Sequence, residues 1–466
     1  MKNKIYNIAL LAISAILLQS CLVTKDYKRP EVKTDELYRT ETKSTDSTSM
    51  ANVSWDKIFT DPILQEYIKT GLQNNLDIKI AMQTLAASEA MMKQGKAGYL
   101  PSFSMGADWT HQELSKNSQM GRVVQNTKVN QYQLTGNLSW EADIWGKIRS
   151  NKRATNAAYL QTQAANQAVK SDLIAQIAST YFELLSVDAQ IKVTEETLIN
   201  RVESVQTMID LKKAGSVNEV GVKQTEAQKF TTELILADLK NNVIFLENKL
   251  NMLMGENPKH LERGTIENQK IDTQITLGVP AVLLRNRPDV IAAEYNLIQN
   301  FEQTNIAKTN FYPTVTLSAT GGFQSIDIKQ WLSANSIFAN IVSGLTQPIF
   351  NKRQIRTNYE VAQANQQAAL LQFEQSLLTA GNEVSNALAQ YKNETTKIEV
   401  RNKQVETLNL ASDYSDELLT YGMVNYLEVL AAKAETLNAE LSLIDNKYQQ
   451  FNALIQLYKA LGGGWQ

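Results

Sequence analysis

Few residues in this chain could do chemistry. Among its 466 residues there is one thiol, Cys21, and there are two imidazoles, His111 and His260. One cysteine excludes an internal disulfide and a multi-thiolate metal site within one chain. Two distant histidines leave little for a zinc cluster or a Ser-His-Asp arrangement. Neither a nucleophile elbow nor a glycine-rich phosphate loop is present. No catalytic residue, metal or cofactor is expected. The residue to explain is Cys21. It follows Lys2, Lys4 and an apolar stretch from Ile8 to Leu18. That stretch is too short to cross a bilayer and has the length of a secretory signal core.

Leu18-Gln19-Ser20-Cys21 resembles the bacterial lipobox, in which a small residue precedes a cysteine that is acylated and becomes the mature N-terminus. Residues 1–20 are therefore expected to be a lipoprotein signal peptide, with Cys21 as the lipidation site. Several acyl chains on one residue make a stable anchor, because each buried methylene contributes about 0.8 kcal/mol. The polar stretch from Glu41 to Ser49 reads as a flexible linker within a lipidated segment, 21–54.

The formal net charge of -2 gives no basic footprint, so nucleic acid is not an expected partner. A mean hydropathy of -0.29 would usually suggest a soluble protein. Membrane β-barrels, however, have a much weaker hydropathy signal than membrane helices.

The elements that hold the chain together are legible from its punctuation. No proline falls between Ser102 and Asn257 or after Ile349, and glycine is absent between Lys147 and Ala214. Proline costs about 3 kcal/mol in a helix interior and glycine about 1, so such runs permit very long helices. A helix from Lys147 to Lys213 would reach roughly 100 Å at 1.5 Å per residue. Apolar steps of three and four support this: Leu198, Val202, Val205 and Ile209; Leu236, Leu239, Val243, Leu246, Leu250 and Leu253; Ile444, Tyr448, Phe451, Ile455 and Tyr458. Such spacing predicts coiled-coil packing in a thin bundle wetted on both sides.

The chain also repeats itself. Asp77 and Asp289 lie 212 residues apart, as do Pro101 and Pro313; Gly215 and Gly422 lie 207 apart, as do Gly255 and Gly462. Two constant offsets with one step between them mean a tandem duplication, the first copy being about five residues longer. Each copy carries short alternating segments. Phe103, Met105, Ala107 and Trp109 alternate with small and polar residues, as do Tyr132, Leu134, Leu138 and Trp140. Val315, Leu317 and Ala319 alternate with Thr314, Thr316 and Ser318, and Ala339, Ile341 and Leu345 keep the beat of a weaker return strand. Period two means strand, and about ten residues with one apolar face matches a transmembrane barrel. Trp109 and Trp140 would fit an aromatic girdle. A soluble antiparallel sheet on a core is the competing reading.

One chain supplies four such strands, whereas the smallest single-chain membrane barrels have about eight. An open edge cannot persist in lipid, since its backbone groups find no water there. Other copies must complete the barrel, so an oligomer is expected.

Several phrases together carry a family resemblance: "DYKRPEV", "WDKIFTDPILQEYIKTGLQNNLDIKIA", "GYLPSF", "WEADIWGKIRS", "GVPAVLLRNRPDVIAAEYNL" and "FYPTVTLSATGG". The chain resembles the TolC-like outer membrane factors, of the OprM/NodT efflux lipoprotein type, over almost all of its mature length. The resemblance implies an α+β membrane protein of two tandem structural repeats. It implies a homotrimer with a twelve-stranded β-barrel, four strands per protomer, and a coiled-coil α-barrel in the periplasm. The first repeat would span 55–257 with a hairpin at about 101–140, and the second 285–466 with a hairpin at about 313–348. Segment 258–284 would be an equatorial connection. The implied function is passive export of drugs, detergents or metal ions, as the lipid-anchored outer-membrane duct of a tripartite system. The partners would be an inner-membrane pump, of RND type, and a periplasmic adaptor. The alternatives are the outer-membrane duct of a type I protein secretion system and a non-conducting coiled-coil lipoprotein.

A duct needs a wetted bore, a closed end and a docking surface. Gln131, Gln133, Thr314 and Thr316 are expected to face the lumen. By resemblance, the adaptor docks at helix tips formed by Ala214, Gly215, Ser216 and Val217 and by Tyr421, Gly422, Met423 and Val424. Also by resemblance, aspartates just past the second tip narrow the entrance. Ala431 occupies the position of the usual gate acid, and Ala434 that of a basic residue. Glu219 and Glu428, each just past a tip glycine, are substitutes by proximity, with Asp413 and Asp416 on the opposing helix as further gate candidates. Solvated helix carboxylates are the plain alternative.

Overall fold

The computed structural model describes residues 23–32, 37–39, 49–124, 127–269 and 283–465. Cys21, the expected signal peptide, most of the expected linker and much of the expected equatorial connection lie outside them. Among the described residues, seven substantial helices and four strands follow the expected order. They are α1 (Pro62–Asn74), α2 (Leu76–Ala97), β1 (Ser102–Glu113), β2 (Lys128–Glu141), α3 (Lys147–Lys213), α4 (Glu219–Met254), α5 (Pro288–Thr309), β3 (Thr314–Ser325), β4 (Ile337–Thr346), α6 (Gln354–Thr420) and α7 (Tyr426–Ala460).

The duplication is visible in the elements. Helices α3 and α6 each run 67 residues. Their first residues, Lys147 and Gln354, are 207 positions apart, and so are their last, Lys213 and Thr420. β1 and β3 begin 212 apart, at Ser102 and Thr314, so the five-residue step falls inside the hairpins. No helix among the described residues is long and apolar enough to cross a membrane.

Two compact units emerge. The first contains the strands and the adjoining helix ends, residues 86–162 and 293–373, together with the N-terminal segment up to Glu31. Its sheet has the order β1-β2-β3-β4, antiparallel throughout. The register sorts the side chains. Phe103 faces Leu138 and Ala107 faces Leu134; Leu134 in turn faces Phe323, which faces Ile337. All of these share one face. Gln133, Thr135, Asn137, Thr316 and Thr320 share the other, where Val129, Phe338 and Val342 are the apolar exceptions. The apolar face is uncovered in the single chain: Phe103 is 65% exposed, Trp109 65% and Ile341 74%.

The base of the sheet is fixed by the "WEADIWGKIRS" phrase. The Asp143 carboxylate accepts from the Ile148 and Arg149 amides, both at 2.8 Å, and so caps α3. The Trp145 indole donates to the Pro313 carbonyl at 2.7 Å and stacks near Tyr312.

The second unit comprises 32–85, 163–292 and 374–466. Its core is aliphatic with an aromatic cluster at its centre. Tyr181 and Phe182 are fully buried, Phe182 stacks on Phe451 with centroids 4.8 Å apart, and Phe59 meets Tyr458 edge-on. The expected stripe on α4 is inward, with Leu246 and Leu250 buried, as is that on α7, with Ile444, Ile455 and Tyr458 buried. The expected α3 stripe is corrected. Val202 is 50% exposed, and the buried positions between 194 and 208 are Thr194, Arg201 and Met208, spaced by seven. Leu198, Val205 and Ile209 of the expected stripe are half-buried, and Ile209 packs beside Met208, so the stripe flanks a buried seam that also carries the polar Thr194 and Arg201.

Candidate functional site: two helix-hairpin tips and a charged cavity

Both tip turns are built on glycine. Gly215 has φ +79° and Gly422 +70°, and a Cβ at either would meet nothing within 4 Å. The left-handed backbone, not crowding, requires glycine there. The Ser216 amide donates to the Leu211 carbonyl and the Met423 amide to the Leu418 carbonyl, each at 2.9 Å, closing both helices in the same way. Tyr421 and Met423 are 70% and 73% exposed, so the second tip presents uncovered apolar surface. The first presents Ala214, Gly215, Ser216 and Val217, with Val217 packed on a small core of Met208, Val222, Tyr426, Val429 and Leu430.

The gate candidates fall into two settings. Glu219 lies in the first turn of α4, where Lys212 bonds it and lowers its carboxyl pKa. Glu428 lies in the first turn of α7 and completes a capping pair. Asn425 Oδ1 accepts from the Leu427 and Glu428 amides, at 2.8 and 3.3 Å, and Asn425 Nδ2 donates to Glu428 Oε1 at 2.9 Å. Both carboxylates thus have local helix-end duties.

Asp413 and Asp416 are brought together elsewhere. They line a polar cavity of about 620 Å³ with Arg201, Tyr426, Lys433 and Glu440. Lys433 Nζ lies 2.8 Å from Asp416 Oδ2 and links α6 to α7. Arg201 is the residue that sequence reasoning missed. It is 2% exposed, and its Nε and Nη1 have no hydrogen-bond partner among the described residues. Burial lowers its pKa and raises that of Glu440. Ala431 carries no acid, and the charged side chains brought together on these helices are those of this cavity.

No group of acidic, histidine or cysteine residues that could hold a metal ion is found among the described residues. The arrangement offers a two-faced sheet, a charged cavity and two exposed turns.

Comparison with known proteins is consistent with this picture. Residues 67–256 and 279–463 match the family described as outer membrane efflux protein. The solvent efflux pump outer membrane protein SrpC of Pseudomonas putida is 26% identical over 456 residues, which cover 97% of each chain. The cation efflux system protein CusC of Escherichia coli is likewise 26% identical over 456 residues, 97% of each chain. The crystal structure of the Campylobacter jejuni CmeC outer membrane channel superimposes with a TM-score of 0.85 at 24% identity, covering 95% of each chain.

Proposed function

The chain belongs to the outer membrane efflux protein family, and on that premise we propose that it is the passive exit duct of a tripartite efflux system. The observation that carries this reading is the sheet. Its four strands sort apolar side chains to one face and polar ones to the other, and no further strand pairs with β1 or β4 in the described residues. Both edges need partners in lipid. Three copies give twelve strands and a closed wall, with the apolar face toward acyl chains and Gln131, Gln133, Thr314 and Thr316 around a wet lumen. The protein acts by transport and not by catalysis.

The finer assignments rest on chemistry and on the relatives' functions. Cys21 is the acylated anchor to the outer membrane, with the helices in the periplasm. The tips, Ala214 to Val217 and Tyr421 to Val424, receive a periplasmic adaptor, and the pump behind it is of RND type. Relatives named for solvent and cation efflux support small molecules or metal ions as cargo. Asp413 and Asp416 are the gate candidates that face a cavity, whereas Glu219 and Glu428 contribute charge at the mouth.

Planar-bilayer recording of the purified, acylated protein tests the duct. Discrete conductance from a trimeric species is expected. A monomer that does not conduct would overturn the reading and favour the non-conducting coiled-coil lipoprotein.

A further inference from the structure

At the helix–strand junction of the first unit, the apolar sheet face ends on Trp140. Its indole N–H donates to the Tyr99 carbonyl at 3.0 Å. The Lys152 ammonium in turn lies 6.0 Å from the centroid of the Tyr99 ring. Trp140, Tyr99 and Lys152 thus run from apolar surface through an amphipathic ring to a cation. Beyond them opens a cavity of about 570 Å³, lined by Tyr27, Lys96, Lys152, Arg153, Tyr295 and Glu302 among others. Arg153 is occupied, 2.8 Å from Asp26 and 3.4 Å from Glu302. Lys96 and Lys152 make no ion pair among the described residues, and Glu89 near Lys96 is held by Lys93 at 2.7 Å. Lys152 sits in the second turn of α3 and is exposed.

We propose that this cavity binds the phosphate headgroup of an anionic phospholipid in the periplasmic leaflet of the outer membrane. The inference rests on the reading that the apolar sheet face lies in lipid. The occupant follows from continuity and charge. Acyl chains lie along the Phe103–Trp140 surface, the interfacial aromatics Tyr99 and Trp140 mark headgroup depth, and two unpaired ammonium groups meet the phosphate. A zwitterionic headgroup brings its own cation and gains less. The lipid would thereby clamp the base of the hairpin to the starts of the long helices.

The test uses the full acylated protein, delipidated in detergent and titrated with phosphatidylglycerol or phosphatidylcholine under native mass spectrometry. The wild type is expected to prefer phosphatidylglycerol. The exposed double substitution K96Q/K152Q is expected to lower that affinity about 25-fold, roughly fivefold per lysine. Equal affinity in wild type and variant, or equal binding of phosphatidylcholine, would overturn the site. Displacement of the lipid by millimolar inorganic phosphate would make it a free-anion site instead and also overturn it. Dissociation of the oligomer by K96Q/K152Q at unchanged lipid affinity would assign the lysines to a neighbouring copy. Conductance of the wild type is read separately, so a conducting protein with no lipid preference sinks only this site. Tryptophans that escape quenching by brominated acyl chains would sink the membrane reading itself.

Discussion

The Lys433 ammonium lies 2.8 Å from the Asp416 carboxylate, so one ion pair joins the two helices of the second tip hairpin beside the charged cavity. Asp416 is 48% exposed and Lys433 21%, so the pair contributes only about 0.5–1 kcal/mol. That is small against folding but meaningful for a two-state entrance, where it corresponds to roughly a two- to fivefold change in population. Asp416→Asn is expected to raise the open probability of the resting channel by about that factor, with little change in melting temperature. Single-channel recording checks it, and an unchanged open probability removes the pair from the gate.

Glu428 needs a separate test, because its capping duty hides any role in selectivity. Glutamine also suits the third position of a capping box, so Glu428→Gln keeps the helix end while removing the charge. Stability is expected to change by less than about 0.5 kcal/mol. Reversal-potential measurements in a salt gradient should show reduced cation preference. Identical reversal potentials would leave Glu428 as a cap and nothing more.

The glycines divide into two classes, and so do the expected outcomes. At Gly215 and Gly422 the surroundings are open, so alanine meets only the left-handed backbone, at about 1 kcal/mol. Gly215→Ala and Gly422→Ala are expected to assemble normally yet weaken crosslinking to a periplasmic adaptor. A Cβ on Gly255 would lie 2.6 Å from the Asn74 carbonyl oxygen, and one on Gly462 2.3 Å from that of Asn286. Backbone must move at both, so Gly255→Ala and Gly462→Ala are expected to lower the yield of folded protein. Normal yield of the latter pair would contradict the packing described.

Those same glycines show how much was legible beforehand. Asn75 Nδ2 donates to the Leu253 carbonyl at 2.9 Å, and Arg287 Nη1 donates to the Ala460 carbonyl at 3.1 Å. The donors are 212 residues apart and the acceptors 207, the two offsets of the duplication. Repetition and period-two alternation expose the hairpins, the 67-residue helices and the tips, because each is written in residue types that recur at fixed spacing. Arg201 was not legible. It occupies a heptad seam between Thr194 and Met208, and a search for apolar periodicity passes over polar seams. Its signal was the spacing of seven itself. The capping duty of Glu428 was legible in Asn425, three residues earlier, but the glutamate's place beside a tip glycine drew attention to charge instead.

Arg201 is expected to be a liability in the isolated fold. A buried guanidinium whose Nε and Nη1 lack partners among the described residues retains a desolvation cost, and a methionine of similar length fills the space without it. Arg201→Met is therefore expected to stabilise the chain by about 1–3 kcal/mol, read from the midpoint of denaturant unfolding in detergent. A loss of stability would show that Arg201 meets a carboxylate in the assembled channel.

The same cavity predicts a pH dependence whose sign follows from Glu440. Burial raises its carboxyl pKa above the ordinary 4.5, the Asn409 hydrogen bond opposes this, and Glu196 reinforces it. The folded state therefore holds the proton more tightly than the unfolded state does. Its contribution favours folding at low pH and is lost as pH rises from 4.5 through the raised folded value. Above that window the buried carboxylate is a fixed cost. Glu440→Gln removes the titration, so the variant should melt above the wild type at pH 7.5, and the gap should close toward pH 4. A gap that widens on acidification would mean that the carboxylate is stabilised as an anion, with Arg201 or Lys433 reaching it in the assembled protein.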